Sequence, residues 1–248
     1  RAGVGVDNIA LDVATELGVA IINAPAGNTV AVAELFFGTV IGLLRQLPAA
    51  ALSMQNGVWD RSKLMGRELK GKTLGIVGLG RIGSEVAVRA HAFGMTVVSF
   101  DPYIADERFT ALRVRRAATL DALIGESNIL TMHVPLNDET RGMIGKRELG
   151  RLPARSIVVN MARGGVIDEP ALLAALDADQ LRGAVLDVFE TEPLPADHLI
   201  WTHPKAIVTP HLASLPTRRE RAEHVARAIA AHERGEALRN LYDHDRGY

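Results

Sequence analysis

Thr73-Leu74-Gly75-Ile76-Val77-Gly78-Leu79-Gly80-Arg81-Ile82-Gly83 decides the fold: an apolar strand-like run flows into G-x-G-x-x-G, and a helical pattern follows at Ile82–Phe93. Each glycine has a mechanical task in that setting. The first permits a tight turn, the second lets backbone approach a pyrophosphate, and the third seats the helix against the strand. N–H groups at the start of the helix then face the phosphates. Roughly 18 residues beyond Gly83 stands Asp101, at the end of the next apolar run, where a carboxylate accepts hydrogen bonds from ribose hydroxyls. It also repels a 2′-phosphate, and neither Pro102 nor Tyr103 supplies an arginine to offset it, so the pattern predicts NAD as cofactor.

Outward from this block, short β-branched runs alternate with helical patterns. Strands are expected at Thr73–Val77, Thr96–Phe100, Ile129–Met132, Ser156–Asn160, Gly183–Leu186 and Ala206–Val208. Helices are expected at Leu120–Gly125 and at Pro170–Leu176, the latter capped by Asp168. Such alternation builds an α/β fold, a Rossmann-type doubly wound parallel sheet, assigned here to residues 28–215. Upstream, a helix around Ile9–Leu17, a strand at Val19–Asn23 and a long helix from about Val30 to Leu47 are expected. Residues 1–27 hold about one βαβ-like unit, and are read as the closing part of a smaller substrate domain whose opening portion is missing. Downstream, Thr217 with Glu220 forms a capping box for a helix that carries Val225, Ala226 and Ile229 on one face and stops at Gly235. That segment, 216–248, is expected to return to the smaller domain. Residues 45–72 form a polar arm with two open readings: a contact with a partner subunit, or a surface helix and loop anchored by Trp59.

Composition narrows the function. The 248 residues are 48% hydrophobic, enough for one large core or one core plus part of a second. A net charge of −1 gathers neither nucleic acid nor anionic membrane, and the Arg113, Arg115, Arg116 cluster, with no interleaved aromatics, reads as a solvated face. The absence of cysteine removes disulfides, thiolate metal ligands and a thiol nucleophile, and fits a reducing cytoplasm; no metal is expected. Val30–Leu44 is the most apolar stretch, but Glu34 interrupts it and it falls short of the ~20 residues of a membrane span, so it reads as a buried helix.

Ligands of open α/β sheets lie beyond the carboxyl ends of the strands, so polar residues just after each strand are the first suspects. Arg163 follows the strand ending at Asn160 and is backed by Gly164 and Gly165; Glu192 lies in the loop after Asp187; His211 follows Thr209 and Pro210. Together they match what reduction of a 2-oxo acid needs. A planar guanidinium binds a carboxylate and opposes charge building on the adjacent carbonyl oxygen, which suits Arg163. An imidazole gives the proton that the nascent alkoxide takes and recovers it in the reverse direction, which suits His211. A neighbouring carboxylate orients the ring and favours the imidazolium, which suits Glu192. Asp187 and His133 either line the nicotinamide pocket or anchor loops.

These residues resemble the D-isomer-specific 2-hydroxyacid dehydrogenase family, nearest its phosphoglycerate dehydrogenase branch. The likeness runs through Arg1-Ala2-Gly3-Val4-Gly5-Val6-Asp7-Asn8, Asn23-Ala24-Pro25, Ala33-Glu34-Leu35, Gly78 to Gly83, Asn160 to Asp168, Asp187-Val188-Phe189, Glu192-Pro193 and Thr209-Pro210-His211. The resemblance implies a catalytic set of Arg163, Glu192 and His211. It implies cofactor contacts at Gly78, Gly80, Arg81, Ile82, Gly83, Asp101, Val134, Met161, Ala162, Asp187 and Ser214, and substrate contacts at Val4, Gly5 and Arg163. It further implies a flavodoxin-like substrate domain, a homodimer through the 45–72 arm, a small 2-hydroxy or 2-oxo acid as substrate, and a short form without a regulatory domain. Leu212-Ala213-Ser214-Leu215-Pro216 departs from the glycine-containing residues usual in the phosphoglycerate branch, which keeps glyoxylate or hydroxypyruvate reduction as an alternative. Glu192 argues against the formate dehydrogenase branch, which resembles this one but carries an amide there. An NAD-responsive corepressor-like binding protein is the alternative from another class.

Overall fold

Seven parallel strands, β1 (Thr73–Val77), β2 (Thr96–Phe100), β3 (Arg115–Arg116), β4 (Ile129–Met132), β5 (Ser156–Asn160), β6 (Leu181–Leu186) and β7 (Ala206–Val208), pair in the order β3-β2-β1-β4-β5-β6-β7. The structure is a computed structural model, and it describes residues 5–6, 9–23, 28–214, 218–238 and 240–242. The chain forms helices α1 (Leu11–Glu16), α2 (Thr29–Leu44), α3 (Leu47–Gln55), α4 (Arg81–Ala92), α5 (Asp106–Ala111), α6 (Leu120–Glu126), α7 (Lys146–Arg151), α8 (Glu169–Asp177) and α9 (Arg218–Glu233). It divides into two units, Val32–Leu212, which holds the sheet, and Arg1–Ala31 with Ala213–Tyr248.

The sheet is of the Rossmann type, and its direction of winding reverses between β1 and β4, where such folds bind their ligands. β4 and β5 are buried at every residue, as strands covered on both faces must be. Register puts Phe100, Val77, Met132, Asn160, Leu186 and Val208 level with one another, so six strands end in one row. Everything that follows those residues shares one edge.

β3 was not foreseen. Two exposed arginines carry no apolar pattern, yet they pair with Val98 and Ser99 of β2, while their charges meet Glu126 and Asp106. Charged residues on an edge strand discourage further pairing, and the solvated reading of that cluster stands. α2 ends at Leu44 rather than running to Leu47. Pro48 has no N–H to continue the ladder and suits a first turn, so Gln46 takes a left-handed φ of 54° and α3 starts at an angle of 62° to α2. No single described helix is long and apolar enough to cross a membrane. The broken α2–α3 pair passes that test jointly, but α2 buries Val32, Phe36, Phe37 and Val40 in the larger unit.

Trp59 does not anchor the arm, because it is 80% exposed. The arm is held instead by its own backbone: Arg67 N donates to Leu44 O, and Gln46 Nε2 to Met65 O. In the smaller unit, the strand expected at Val19–Asn23 reduces to one antiparallel bridge between Ile22 and Leu241, since the described residues offer Ile22 no longer partner. His224 of α9 bonds Asn23 O at 3.0 Å. The expected cap residue Thr217 lies outside the described residues, Gly235 ends the helix region at φ 67°, and Val225 and Ile229 are exposed rather than buried along a face.

Candidate active site

The glycine loop begins at the end of β1, and the expected tight turn and close seating of the helix are both observed in it. At Gly78, φ is 91° and a Cβ would stand 2.7 Å from His133 O, so any side chain is excluded twice over. A Cβ at Gly83 would meet Gly78 O at 2.2 Å, which places the start of α4 directly on the turn. Nothing lies within 4 Å of a Cβ at Gly80, and no side chain caps α4, so the backbone there is open to an anion from outside. Arg81 is exposed, and Ile82 is half-buried.

Asp101 is buried to 8% exposure, its Oδ2 accepting from Leu79 N at 2.7 Å and its Oδ1 from Tyr103 N at 3.0 Å. One carboxylate thus ties the glycine loop to the end of β2. Each oxygen retains a further lone pair for a ribose hydroxyl, so the residues present fit a dinucleotide. Tertiary structure also brings an arginine here that reading along the chain misses: Arg116 Nη2 donates to Asp101 O at 3.3 Å. Its charge is already met by Asp106 and by the face of Phe109, 5.0 Å from the ring centroid.

Val134 follows β4, half-buried, and Met161 and Ala162 follow β5. His133, between Met132 and Val134, bonds Thr131 Oγ1 through Nε2 at 3.1 Å, while its buried Nδ1 has no partner among the described residues. Burial lowers its pKa from 6.5 to about 4. Between those values the unfolded chain binds a proton that the folded chain refuses, so stability falls as pH drops through that window. The cofactor-free protein is expected to lose about 2 kcal/mol between pH 7 and pH 5 through this group. Urea unfolding at both pH values checks it: His133→Gln should lose less by that amount, and an equal loss would refute the assignment.

Three loops beyond β5, β6 and β7 interlock around the other candidates. Asn160, 2% exposed, donates from Nδ2 to Arg163 O (2.8 Å) and accepts from Ala162 N (3.1 Å), which shapes the turn bearing Arg163. Arg163 Nη1 donates to Ala162 O at 2.7 Å. A Cβ on Gly164 would fall 1.9 Å from Phe189 O and 2.5 Å from Glu190 N, so the loop after β5 lies directly against the backbone of the loop after β6. In that second loop Glu192 Oε1 accepts from Phe189 N at 3.0 Å, and Oε2 pairs with His211 Nδ1 at 2.7 Å. Glu169 Oε1 accepts from Glu190 N at 2.7 Å and steadies the loop from α8.

His211 sits at φ 49°, a conformation that costs a non-glycine residue about 1–3 kcal/mol. The fully buried Asp187 supports it from both sides. Asp187 O accepts from His211 N (2.8 Å), and Asp187 Oδ1 accepts from Thr209 Oγ1 (2.5 Å) and Leu212 N (2.9 Å). Of the two readings open for Asp187, loop anchoring is therefore observed. Asn160, Gly164 and Thr209 shape the loops that carry these candidates. Val4 lies outside the described residues, and Gly5 and Ser214 belong to the smaller unit.

The sheet and its strand-end edge define a class, Rossmann-type α/β domains, here with a histidine–carboxylate pair on that edge. The chain belongs to the D-isomer specific 2-hydroxyacid dehydrogenase family: residues 37–213 match the family's NAD binding domain. It is 49% identical over 214 residues to a D-3-phosphoglycerate dehydrogenase of Bacillus subtilis, covering 86% of this chain and 40% of that one. Against a protein of the same description from Methanocaldococcus jannaschii it is 43% identical over 246 residues, covering 97% and 46%. The crystal structure of a glyoxylate reductase from Paecilomyes thermophila superposes with a TM-score of 0.88 at 34% identity, covering 98% of this chain and 74% of that one. The chain thus spans less than half the length of the curated relatives it matches.

Proposed function

We propose that the protein, at its full length, interconverts a small D-2-hydroxy acid and its 2-oxo acid with NAD, in the manner of a phosphoglycerate dehydrogenase. The observation that carries this reading is the 2.7 Å pairing of His211 Nδ1 with Glu192 Oε2, on the strand-end edge that also bears the glycine loop. Gly78, Gly80, Arg81, Ile82, Gly83 and Asp101 would hold the dinucleotide, with Val134, Met161, Ala162, Asp187 and Ser214 completing its site. When bound, the dinucleotide supplies the redox equivalent exchanged at the substrate's C2. Arg163 binds the carboxylate and opposes charge on the carbonyl oxygen. With Nδ1 engaged by Glu192, His211 Nε2 is the atom that holds the proton which the C2 oxygen takes or returns. Val4 and Gly5 are assigned to the substrate carboxylate by resemblance to the family.

The substrate is assigned by likeness to the Bacillus subtilis relative, and the alternative of glyoxylate reduction by likeness to the Paecilomyes thermophila protein. The test is oxidation of NADH and NADPH by the full-length protein across a panel of 2-oxo acids that includes phosphohydroxypyruvate, hydroxypyruvate and glyoxylate. Turnover is expected with NADH, fastest on phosphohydroxypyruvate. NADH binding without turnover of any 2-oxo acid would overturn the enzymatic reading in favour of an NAD-responsive binding protein.

A homodimer through residues 45–72 belongs to the same reading. Leu52, Met54, Val58, Trp59 and Met65 are all more than half exposed, and Met54, Val58, Trp59 and Met65 line one shallow groove. An apolar set of this size is what a second copy covers. Sedimentation should show a dimer that Trp59→Glu with Met65→Glu converts to monomer; a monomeric parent protein would overturn it.

A further inference from the structure

Loops that leave non-adjacent strands have no topological reason to touch, yet the loops after β2 and β4 are joined. Tyr103 Oη donates to Glu139 Oε2 at 2.6 Å, within the short range of a charge-assisted O–H bond. β2 and β4 are the two neighbours of β1, and Val77 is level with both Phe100 and Met132. A bond between the outer loops therefore crosses the end of β1, where the Gly78–Gly83 loop begins. Both partners stand on built supports. Tyr103 N donates to Asp101 Oδ1, on the same carboxylate that holds Leu79 N. Glu139 N donates to Asn137 Oδ1 (3.1 Å), and Thr140 Oγ1 donates to Pro135 O (2.6 Å), so the turn carrying Glu139 is ordered by its own hydrogen bonds. Tyr103 is 67% exposed, so burial of its ring is not what brings it to Glu139.

We propose that Tyr103 and Glu139 form a gating pair across the adenosine end of the dinucleotide site, which parts for the cofactor to bind and to leave. The proposal rests on the dinucleotide reading of Gly78–Gly83 and Asp101. With Asp101 holding its ribose and the glycine loop its pyrophosphate, a bound dinucleotide would place its adenosine portion between the loops after β2 and β4, beneath the Tyr103–Glu139 bond. The bond is closed in the cofactor-free protein and closes again over the bound cofactor, so it obstructs both directions of exchange. Its rupture adds equally to the barriers of association and release and leaves the equilibrium nearly unchanged. The donor is a neutral phenol, so the gate is not an ion pair that salt dissolves.

The test is stopped-flow fluorescence of NADH with full-length protein, measuring association directly and release by displacement with excess NAD. Tyr103→Phe and Glu139→Ala are each expected to speed both rates by about three- to tenfold, with Kd changed less than twofold. The double variant should be no faster than the singles, since one bond is lost in each case. Faster release with unchanged association would make the pair a simple binding contact and overturn the gate. Unchanged rates in both singles, or additive effects in the double, would do the same. If the parent protein binds no NADH, the dinucleotide reading falls and the gate with it; if it binds and the variants behave like the parent, the gate alone falls.

Discussion

His211→Ala is expected to lower kcat by about 10²–10⁴-fold while leaving NADH affinity nearly unchanged. The reason lies in how the ring is held. Glu192 takes Nδ1 at 2.7 Å, and Phe189 N fixes the other oxygen of that carboxylate at 3.0 Å, so the ring has one orientation and one nitrogen for the substrate oxygen. Asp187 supplies the remaining constraint by holding residues 209, 211 and 212 around a left-handed backbone. Alanine removes the proposed proton carrier together with its bond to Glu192, and leaves the dinucleotide loop untouched, because among the described residues neither Asp101 nor the glycine loop bonds to His211. Stopped-flow turnover on the best 2-oxo acid, with fluorescence titration of NADH on the same preparation, separates the two quantities. A variant with parental kcat would remove His211 from the chemistry; one that lost NADH binding would make it a cofactor residue instead.

The second large effect is expected at Gly164, where no side chain is lost. Replacing it with alanine puts a methyl group 1.9 Å from Phe189 O and 2.0 Å from Phe189 C, both backbone atoms, so the loops after β5 and β6 must separate. Displacement by about 1 Å between catalytic groups costs on the order of 10²-fold in rate. Gly164→Ala should lose that much in kcat and about 1–3 kcal/mol in stability, with NADH affinity held within a few fold. Gly38→Ala is the matched comparison: it lies in α2 with nothing within 4 Å of its Cβ, and should gain about 0.5–1 kcal/mol with unchanged activity. Parental turnover in Gly164→Ala would mean that the spacing of Arg163 and Glu192 is not set by this approach.

Most of the architecture was legible along the chain because its signals are local. β1, β2, β4, β5 and β7 lie where apolar runs place them, since buried parallel strands must be continuously apolar. Gly78 and Gly83 could be read because each excludes a Cβ for its own steric reason. What escaped was governed by partners far along the chain. β3 is two arginines made into a strand by Val98 and Ser99. Trp59 reads as an anchor because large aromatics are usually buried, but the described residues leave it 80% exposed.

The candidate site divides in the same way. Arg163, Glu192 and His211 could be named from the sequence because each follows a strand, and parallel strands end on one edge; the proposed chemistry needs a guanidinium, a carboxylate and an imidazole there. Asp101 could be named because the strand–loop–helix–strand unit fixes its distance from the glycines. The pairing of Glu192 with His211, the support of a left-handed His211 by Asp187, the approach of Gly164 to Phe189 and the reach of Arg116 to Asp101 were decided by tertiary structure alone. Each joins residues from 15 to 25 positions apart, across adjacent loops or strands. Periodicity and residue type specify which face of an element is apolar; the separation of two loops depends on the register and packing of the strands beneath them, which no local stretch encodes.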